Sequence, residues 1–542
     1  MQTDIGNFSY SYDTGNRLTS LTNHKSESFG FSYDTGNRLT GVSRPGSDTA
    51  FNFDDTNFLT SIIHQKTSGT NINTFSYTKD LIGNRKTASS SAGTANYDYD
   101  DNNQLTQGTN PESLTENFTY DSNGNRLTDD FGSYNYDANS QRLTEDYRYL
   151  YFYDENGNLS SKNSKTDSKV INYVHNSENQ LVGIDYFEGA TPTKEITYVY
   201  DALGRRVKKQ VTDLVTPANS FTRKYVYDGN EILAEFDIDN KLLATYTHST
   251  LRTDDVLSVD VTTDGVAKGT AQAAQSYFYI KDGQGTIVDI VDGAGSKVQH
   301  HIYSAFGELV NTTDASGNVI SGNEVLAPFF TYTNREYDKE SGLYHYRARN
   351  YDASIGRFLE EDPFRGELDR PVTINNKYVY VLNKPTGFVD PSGKFLEALV
   401  VGAIVGAIVG GIVATIEDPG NLDHAFEGIL EGAIVGAIYG GLAFASPTAT
   451  FLSIGLAVFT GFLTRGNVAV NIKNNLTQST SLRVGAHGSV SFGEYLFGKD
   501  SPFLGGASIF LGIVFAYKDI QDTSCNRETA TKFARDNICS KN

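Results

Sequence analysis

The chain is poor in the residues that hold small or metal-bound domains together. Two cysteines among 542 residues cannot staple a fold of this size, and they exclude a Cys-rich metal scaffold. Tryptophan is absent, methionine occurs once, and proline only twelve times. Basic residues are in deficit, with 45 Lys+Arg against 65 Asp+Glu and a formal net charge of −20. Non-specific nucleic-acid binding runs on clustered Lys and Arg, so it is not expected of this chain. There is no Walker motif, no His-Glu-x-x-His and no dinucleotide fingerprint, and neither cofactor nor metal is expected. Met1 opens no signal-peptide pattern of charge followed by an apolar run. Aromatics are plentiful: 33 Tyr and 32 Phe argue against disorder, despite much Asn, Ser, Thr and Gly.

The totals are unevenly spread. Residues 394–542 hold 12 acidic and 10 basic side chains, which leaves 53 and 35 before them. Thirty of the 33 Tyr precede residue 394, and 20 of the 51 Gly follow residue 393. Two different physical objects meet there.

The first is a repeat. Tyr10, Tyr12, Asp13, Gly15, Asn16, Arg17 and Leu18 recur as Phe31, Tyr33, Asp34, Gly36, Asn37, Arg38 and Leu39. A third full copy runs from Phe118 and Tyr120 through Asp121, Gly124, Asn125, Arg126 and Leu127. Weaker copies begin at Phe51, Phe75, Tyr97, Tyr134, Tyr151, Tyr173, Tyr198, Tyr225 and Tyr277. The spacing is roughly 16 to 27 residues, a range typical of repeat arrays. Aromatics at alternate positions put two rings on one face of a strand. The Asp-x-x-Gly-Asn segment is a turn, in which Asp bonds the backbone ahead and Gly supplies a positive φ. Arg-Leu-Thr opens the return strand. Such hairpins predict one long antiparallel sheet, and scarce proline leaves its ladder intact. The repeated Tyr, Asp and Arg are expected to hold neighbouring hairpins together rather than to do chemistry.

This pattern resembles the RHS-repeat, or YD-repeat, family over roughly residues 8 to 310. The resemblance implies a mainly β fold whose long sheet spirals into a hollow or partial shell around the C-terminal part of the chain. The sequence opens inside a repeat, so it is expected to be the C-terminal portion of a longer shell, or a short family member without an N-terminal plug. Residues 330–393 carry a denser motif: Arg335, Tyr337, Asp338, then Gly342, Leu343, Tyr344, Tyr346, Arg347 and Arg349, then Gly356, Arg357 and Phe358. Asp362-Pro363, Tyr378, Tyr380, Asn383, Pro385 and Asp390-Pro391-Ser392-Gly393 complete it. The block resembles the RHS-associated core domain. In relatives such as the C component of Tc toxin complexes, that domain is a self-cleaving aspartic protease. Carried over by motif position, the acids are Asp362 and Asp390, the supporting arginine is Arg349, and the cut falls between Gly393 and Lys394. Two carboxylates in one site cannot easily both ionise. The charged one would activate water and the protonated one would polarise the scissile carbonyl. Two departures stand out. Lys394 replaces a Leu, and Arg365 to Arg370 looks inserted between the two Asp-Pro motifs. The plainer alternative is that each Asp-Pro only makes a turn.

The second object is apolar. Residues 398–416 carry no charge, about the length that spans a hydrocarbon core. Gly402, Gly406 and Gly410, and again Gly432, Gly436 and Gly440, recur every fourth residue and line one helix face. The two copies are expected to form a helical hairpin, either membrane-inserting or buried as a spacer. Residues 465–542 are expected to form a small α+β tail, with a Cys525–Cys539 disulfide if the protein is exported. The expected division is a shell at 1–328, a junction domain at 329–393, a Gly-rich hairpin at 394–464 and an effector tail at 465–542.

The sequence thus reads as the C-terminal part of a polymorphic toxin, secreted or at the cell surface, with a membrane-active effector. An enzymatic toxin within 465–542 and a cell-surface adhesion protein are the alternatives. The partners implied by the resemblance are the enclosed C-terminal segment, a cognate immunity protein and a secretion apparatus.

Overall fold

The computed structural model describes residues 2–3, 5–110, 112, 115–320, 326, 329–363, 376–394 and 397–398. All of these lie in the first of the chain's two compact units, Met1–Ser453. The Gly402–Gly440 hairpin, the 465–542 tail and the Cys525–Cys539 pair lie outside the described residues. Among the described residues, no helix is long and apolar enough to cross a membrane.

The fold is mainly β. Eleven strands, from Ser9–Tyr12 to Glu116–Asn117, form one antiparallel sheet in chain order. Sixteen more, from Asn135–Tyr136 to Leu309–Asp314, form a second. Neither closes on itself. The repeat predicts one sheet, and the structure divides it at the third full copy. There Thr119–Tyr120 pairs only with Arg126–Thr128. Single contacts still link this hairpin to its neighbours, the Phe118 N–H reaching the Thr106 carbonyl at 2.8 Å, while Phe118 and Arg126 pack on Phe306, at 5.0 Å between rings and 4.4 Å from guanidinium carbon to ring centre.

Each turn clamps itself and then its neighbour. Asp13 Oδ1 accepts the N–H groups of Gly15 and Arg17, both at 2.9 Å, and Oδ2 takes Arg17 Nε at 2.7 Å. Arg17 Nη1 then reaches Asn37 Oδ1 of the next turn at 2.8 Å, and Arg38 repeats the step to Asn57 at 2.9 Å. The positive φ falls on the fourth turn residue. That residue is Gly124 in the third copy but Asn16 and Asn37 in the first two, where the glycine stands one place earlier. Asn tolerates this region because its short side chain bonds locally. The second aromatic of a unit donates its hydroxyl to the start of the previous return strand. Tyr33 bonds the Leu18 carbonyl at 2.8 Å, Tyr120 bonds Leu105 at 2.7 Å and Tyr200 bonds Leu181 at 2.8 Å.

The two sheets stack. Phe29, Phe31, Leu21 and Ile62 of the first pack against Phe278, Ile280, Val288 and Val291 of the second. On the opposite face of those same strands, Tyr277, Tyr279, Ile287 and Ile290 pack against Leu326 and Phe330. Strand Ser276–Lys281 is therefore covered on both sides, and four of its six residues are buried. Residues between paired aromatics elsewhere face solvent, as Val199 and Val226 do. Here the position is Phe278, because another sheet covers it.

A polar seam joins the stacked sheets. His300 Nδ1 meets Asp289 Oδ1 at 2.7 Å and its Nε2 meets Glu112 at 3.1 Å, while Asn73 donates to Asp289 at 2.7 Å. Burial opposes charge on His300, but its hydrogen bonds to Asp289 and Glu112 prevail and push its pKa up to about 9. The ordinary value is 6.5, so this support is complete below 6.5 and is lost as pH rises through about 9. We expect the free energy of unfolding of the wild type, read by urea titration, to fall between those limits by on the order of 2 kcal/mol. The difference between wild type and His300→Gln should close over the same window.

Candidate functional site

The junction block folds as a four-stranded antiparallel sheet: Glu336–Asp338, Leu343–Tyr346, Arg349–Asp352 and Arg357–Phe358. Its strands are almost wholly buried. Leu343, Ile355 and Leu359 cover the inner face of the long sheet, against Leu181, Ile184 and Ile196. Tyr344, Tyr346, Tyr351 and Tyr380 form a second cluster, with no side chain reaching solvent. Their hydroxyls find partners, such as Tyr351 on the Phe306 carbonyl at 2.7 Å and Tyr346 on Thr333 at 2.8 Å.

Ionic contacts fix the block to the repeats. Arg206 bonds Asp338, and its other nitrogen meets Glu336 at 2.9 Å. Lys209 joins Asp338 at 2.9 Å and Glu340 at 3.0 Å. Burial would raise the Asp338 pKa, but Arg206 and Lys209 hold it well below the carboxylate range. Glu336 is pushed up by burial in spite of Arg206 and Arg335. His345 is kept neutral by burial beside Arg206 and Arg335.

The hairpin from Leu343–Tyr346 to Arg349–Asp352 turns through Arg347 and Ala348, with Tyr346 opposite Arg349. It brings together the three residues that the sequence singles out. Arg349 Nη2 lies 2.9 Å from Asp362 Oδ2 and 3.0 Å from Asp390 Oδ2. Both carboxylates thus hang on one nitrogen, and the two oxygens are no more than about 6 Å apart. The Asp390 side chain is buried, while Asp362 keeps 21% of its side-chain surface. Arg349 stacks on Phe358, 3.7 Å from the ring centre, and its Nη1 bonds the Lys377 carbonyl at 3.1 Å. The guanidinium is immobilised on every side.

Asp390 to Gly393 form a turn, as the plainer reading of Asp-Pro has it, and the Gly393 N–H returns to the Asp390 carbonyl at 3.4 Å. The turn is also part of the site. Gly393 has φ +67, and a Cβ there would collide with the Tyr346 carbonyl oxygen, so no side chain fits. The Gly393 carbonyl accepts from Arg349 Nε at 2.5 Å. On the other side of the same peptide bond, the Lys394 N–H donates to Asp390 Oδ1 at 3.2 Å. The arginine thus holds the carbonyl side of this peptide bond and Asp390 the N–H side. The motif alone did not reveal the Lys377 carbonyl, the Phe358 ring or the contacts of Arg347. Arg347 stands in the same quoted run as Arg349, but nothing local separates their roles. The Arg365–Arg370 segment lies outside the described residues.

A family profile described as Teneurin YD-shell matches residues 78–386, more than half of the chain. The tRNA3(Ser)-specific nuclease WapA of Bacillus spizizenii is 31% identical over 330 residues, which cover 60% of this chain and 11% of that protein. The double-stranded DNA deaminase toxin A of Burkholderia cenocepacia is 25% identical over 326 residues, covering 58% of this chain and 21% of the toxin. The chain thus spans a small part of the length of the relatives it matches. Among solved structures, the TcdB2–TccC3–TEV crystal structure superposes with a TM-score of 0.52 at 17% identity, covering 71% of this chain and 21% of that one. That likeness is one of fold.

Proposed function

The chain belongs to the Teneurin YD-shell family, and from that premise we propose that it is the shell and junction of a polymorphic toxin that cuts itself between Gly393 and Lys394. One observation carries the reading. The peptide bond at that point has its oxygen on Arg349 and its N–H on Asp390, with a second carboxylate on the same guanidinium.

The reaction is hydrolysis, with water as co-reactant. The reaction needs one proton on the acid pair, carried by Asp390 when the C–N bond breaks. Asp362, the more exposed acid, takes a proton from water as its oxygen attacks the Gly393 carbonyl carbon. Arg349 Nε stabilises the charge that develops on the carbonyl oxygen. Asp390 passes its proton to the Lys394 nitrogen, and the C–N bond breaks. The products are a Gly393 carboxylic acid and a Lys394 α-amine, which settle as carboxylate and ammonium when the acid's proton passes to the amine, and the pair again holds one proton, now on Asp362. Intact mass and N-terminal sequencing of purified protein test this. A fragment that begins at Lys394 is expected, and a chain still whole after long incubation overturns the reading.

In this reading residues 1–328 are the shell, 329–393 the junction domain, and 394–464 with 465–542 the enclosed cargo. The cargo is membrane-active, inserting through the Gly-rich segment. The reading includes export, a secretion apparatus and a cognate immunity protein, and relatives named as toxins support the export. A second reading, an enzymatic toxin in 465–542, is favoured by relatives named as a nuclease and a deaminase toxin. Liposome leakage after self-cleavage is expected for the first. Growth arrest without leakage would replace it with the second.

A further inference from the structure

The geometry points to a second pair of residues, Asp254 and Arg347, that positions the cleavage turn. The inference rests on the self-cleavage reading above and adds a condition to it. Asp254 belongs to the repeat sheet, in the loop between strands Leu242–His248 and Val256–Val261. It is buried, at 6% exposure, and sits in left-handed backbone at φ +61. Its carboxylate collects donors from the junction block. Arg335 Nη1 reaches Oδ1 at 2.6 Å, Arg347 Nη2 reaches Oδ1 at 2.6 Å, and Arg347 Nη1 reaches Oδ2 at 3.1 Å. The Asp254 carbonyl accepts from the Asn334 amide. Glu231 closes the group, accepting from the Asp254 N–H at 3.2 Å and from Arg347 Nη2 at 3.1 Å.

The nitrogen of Arg347 that meets Asp254 Oδ2 also reaches the cleavage turn. Arg347 Nη1 donates to the Pro391 carbonyl at 2.6 Å. Next along, the Ala348 N–H donates to the Ser392 carbonyl at 3.3 Å, and Arg349 Nε donates to Gly393. Three successive residues of one hairpin loop thus grip three successive carbonyls of the Asp390–Gly393 turn. Arg347 itself has φ +56, an unfavourable region for a long side chain. Such a conformation persists only where its surroundings over-determine it. Here they do so through Asp254, which lies 93 residues away in the repeats.

Arg347 is therefore a positioning residue, and Asp254 makes its position conditional on the junction block being docked on the repeat sheet. The cut is licensed by an assembled shell. Misplacing a reacting group by about 1 Å costs roughly 100-fold in rate, and this sets the expected scale.

The test uses the full chain, synthesised as a short pulse, with appearance of the Lys394 fragment followed in time. Arg347→Ala and Asp254→Asn are expected to slow it about 10- to 100-fold. Arg347→Lys should recover part of the rate, because an ammonium still reaches Pro391 but cannot fork onto Asp254. Guanidinium ion added to Arg347→Ala should restore part of the rate as well, which repair of a general folding defect would not do. Hydrogen exchange is read in parallel in the Asp390→Asn background, where cleavage cannot interfere. Arg347→Ala should raise exchange in peptides covering residues 388–394 and leave the repeat strands unchanged.

Wild-type cleavage rates in both variants overturn the clamp and leave the self-cleavage reading standing. Slowing that comes with raised exchange throughout the repeats also overturns it, because the defect is then global. If the wild type does not cleave, the self-cleavage reading falls and exchange decides the clamp. Unchanged exchange at 388–394 in Arg347→Ala then overturns it.

Discussion

Asp390→Asn is expected to leave the chain in one piece, with cleavage after Gly393 reduced at least about 100-fold. Asparagine at 390 keeps the volume of aspartate, and its carbonyl can still accept the Lys394 N–H. It cannot deliver a proton to the departing nitrogen. Asp362→Asn should fail as completely for a different reason, since water would lose its base. The two substitutions should not add, because residues of one catalytic unit do not contribute independently. Arg349→Lys separates a third role. Lysine keeps one charge near the acids but cannot at once serve Gly393, Asp362 and Asp390 with a planar fork. Intact mass after long incubation is the measurement, with the thermal midpoint of each variant as the control for folding. Rapid cleavage in Asp390→Asn would remove that residue from the mechanism.

The second large effect concerns stability. Arg206→Met is expected to destabilise the junction block by about 3–5 kcal/mol, the usual consequence of breaking a buried ion pair from one side. Asp338 would keep Lys209 and the Tyr198 hydroxyl but lose its guanidinium, and Glu336 would lose its contact with Arg206. The sign with pH follows. The Glu336 pKa lies above its ordinary 4.5 in the folded protein, so this group's contribution falls as pH rises through the carboxylate range. The deficit of Arg206→Met should accordingly shrink toward pH 4.5 and be largest near neutrality. Urea unfolding followed by tyrosine fluorescence reads both. An equal deficit at both pH values would mean that Glu336 stays charged without Arg206.

Much of this architecture can be read from short stretches of chain. Alternating Tyr residues announce strands, and Asp13 with Arg17 announces the turn, because these interactions close within five residues. The turn's left-handed position was misplaced in the first two copies, where Asn16 and Asn37 stand in for the expected glycine. The loss here is local and small. What local pattern cannot carry is distance. Strand Ser276–Lys281 reads like any other repeat, yet a strand more than two hundred residues earlier covers its second face. Asp362, Asp390 and Arg349 could be named because a motif spans all three. Asp254 could not, because its partner in the motif lies 93 residues away and no periodicity links them.

Stacking of the two sheets has a consequence for synthesis. Asn73 finds its partner Asp289 only 216 residues later, and Asn23 waits 224 residues for Thr247. A ribosome adds roughly 5–20 residues each second, so the first sheet emerges and stands for about 10–45 s with Phe29, Phe31 and Ile62 uncovered. That face is broad, apolar and bordered by unpaired strand edges during the whole interval. The repeat region should therefore depend on holding factors while it is being made, and slowing translation between the two sheets should lower the yield of soluble protein.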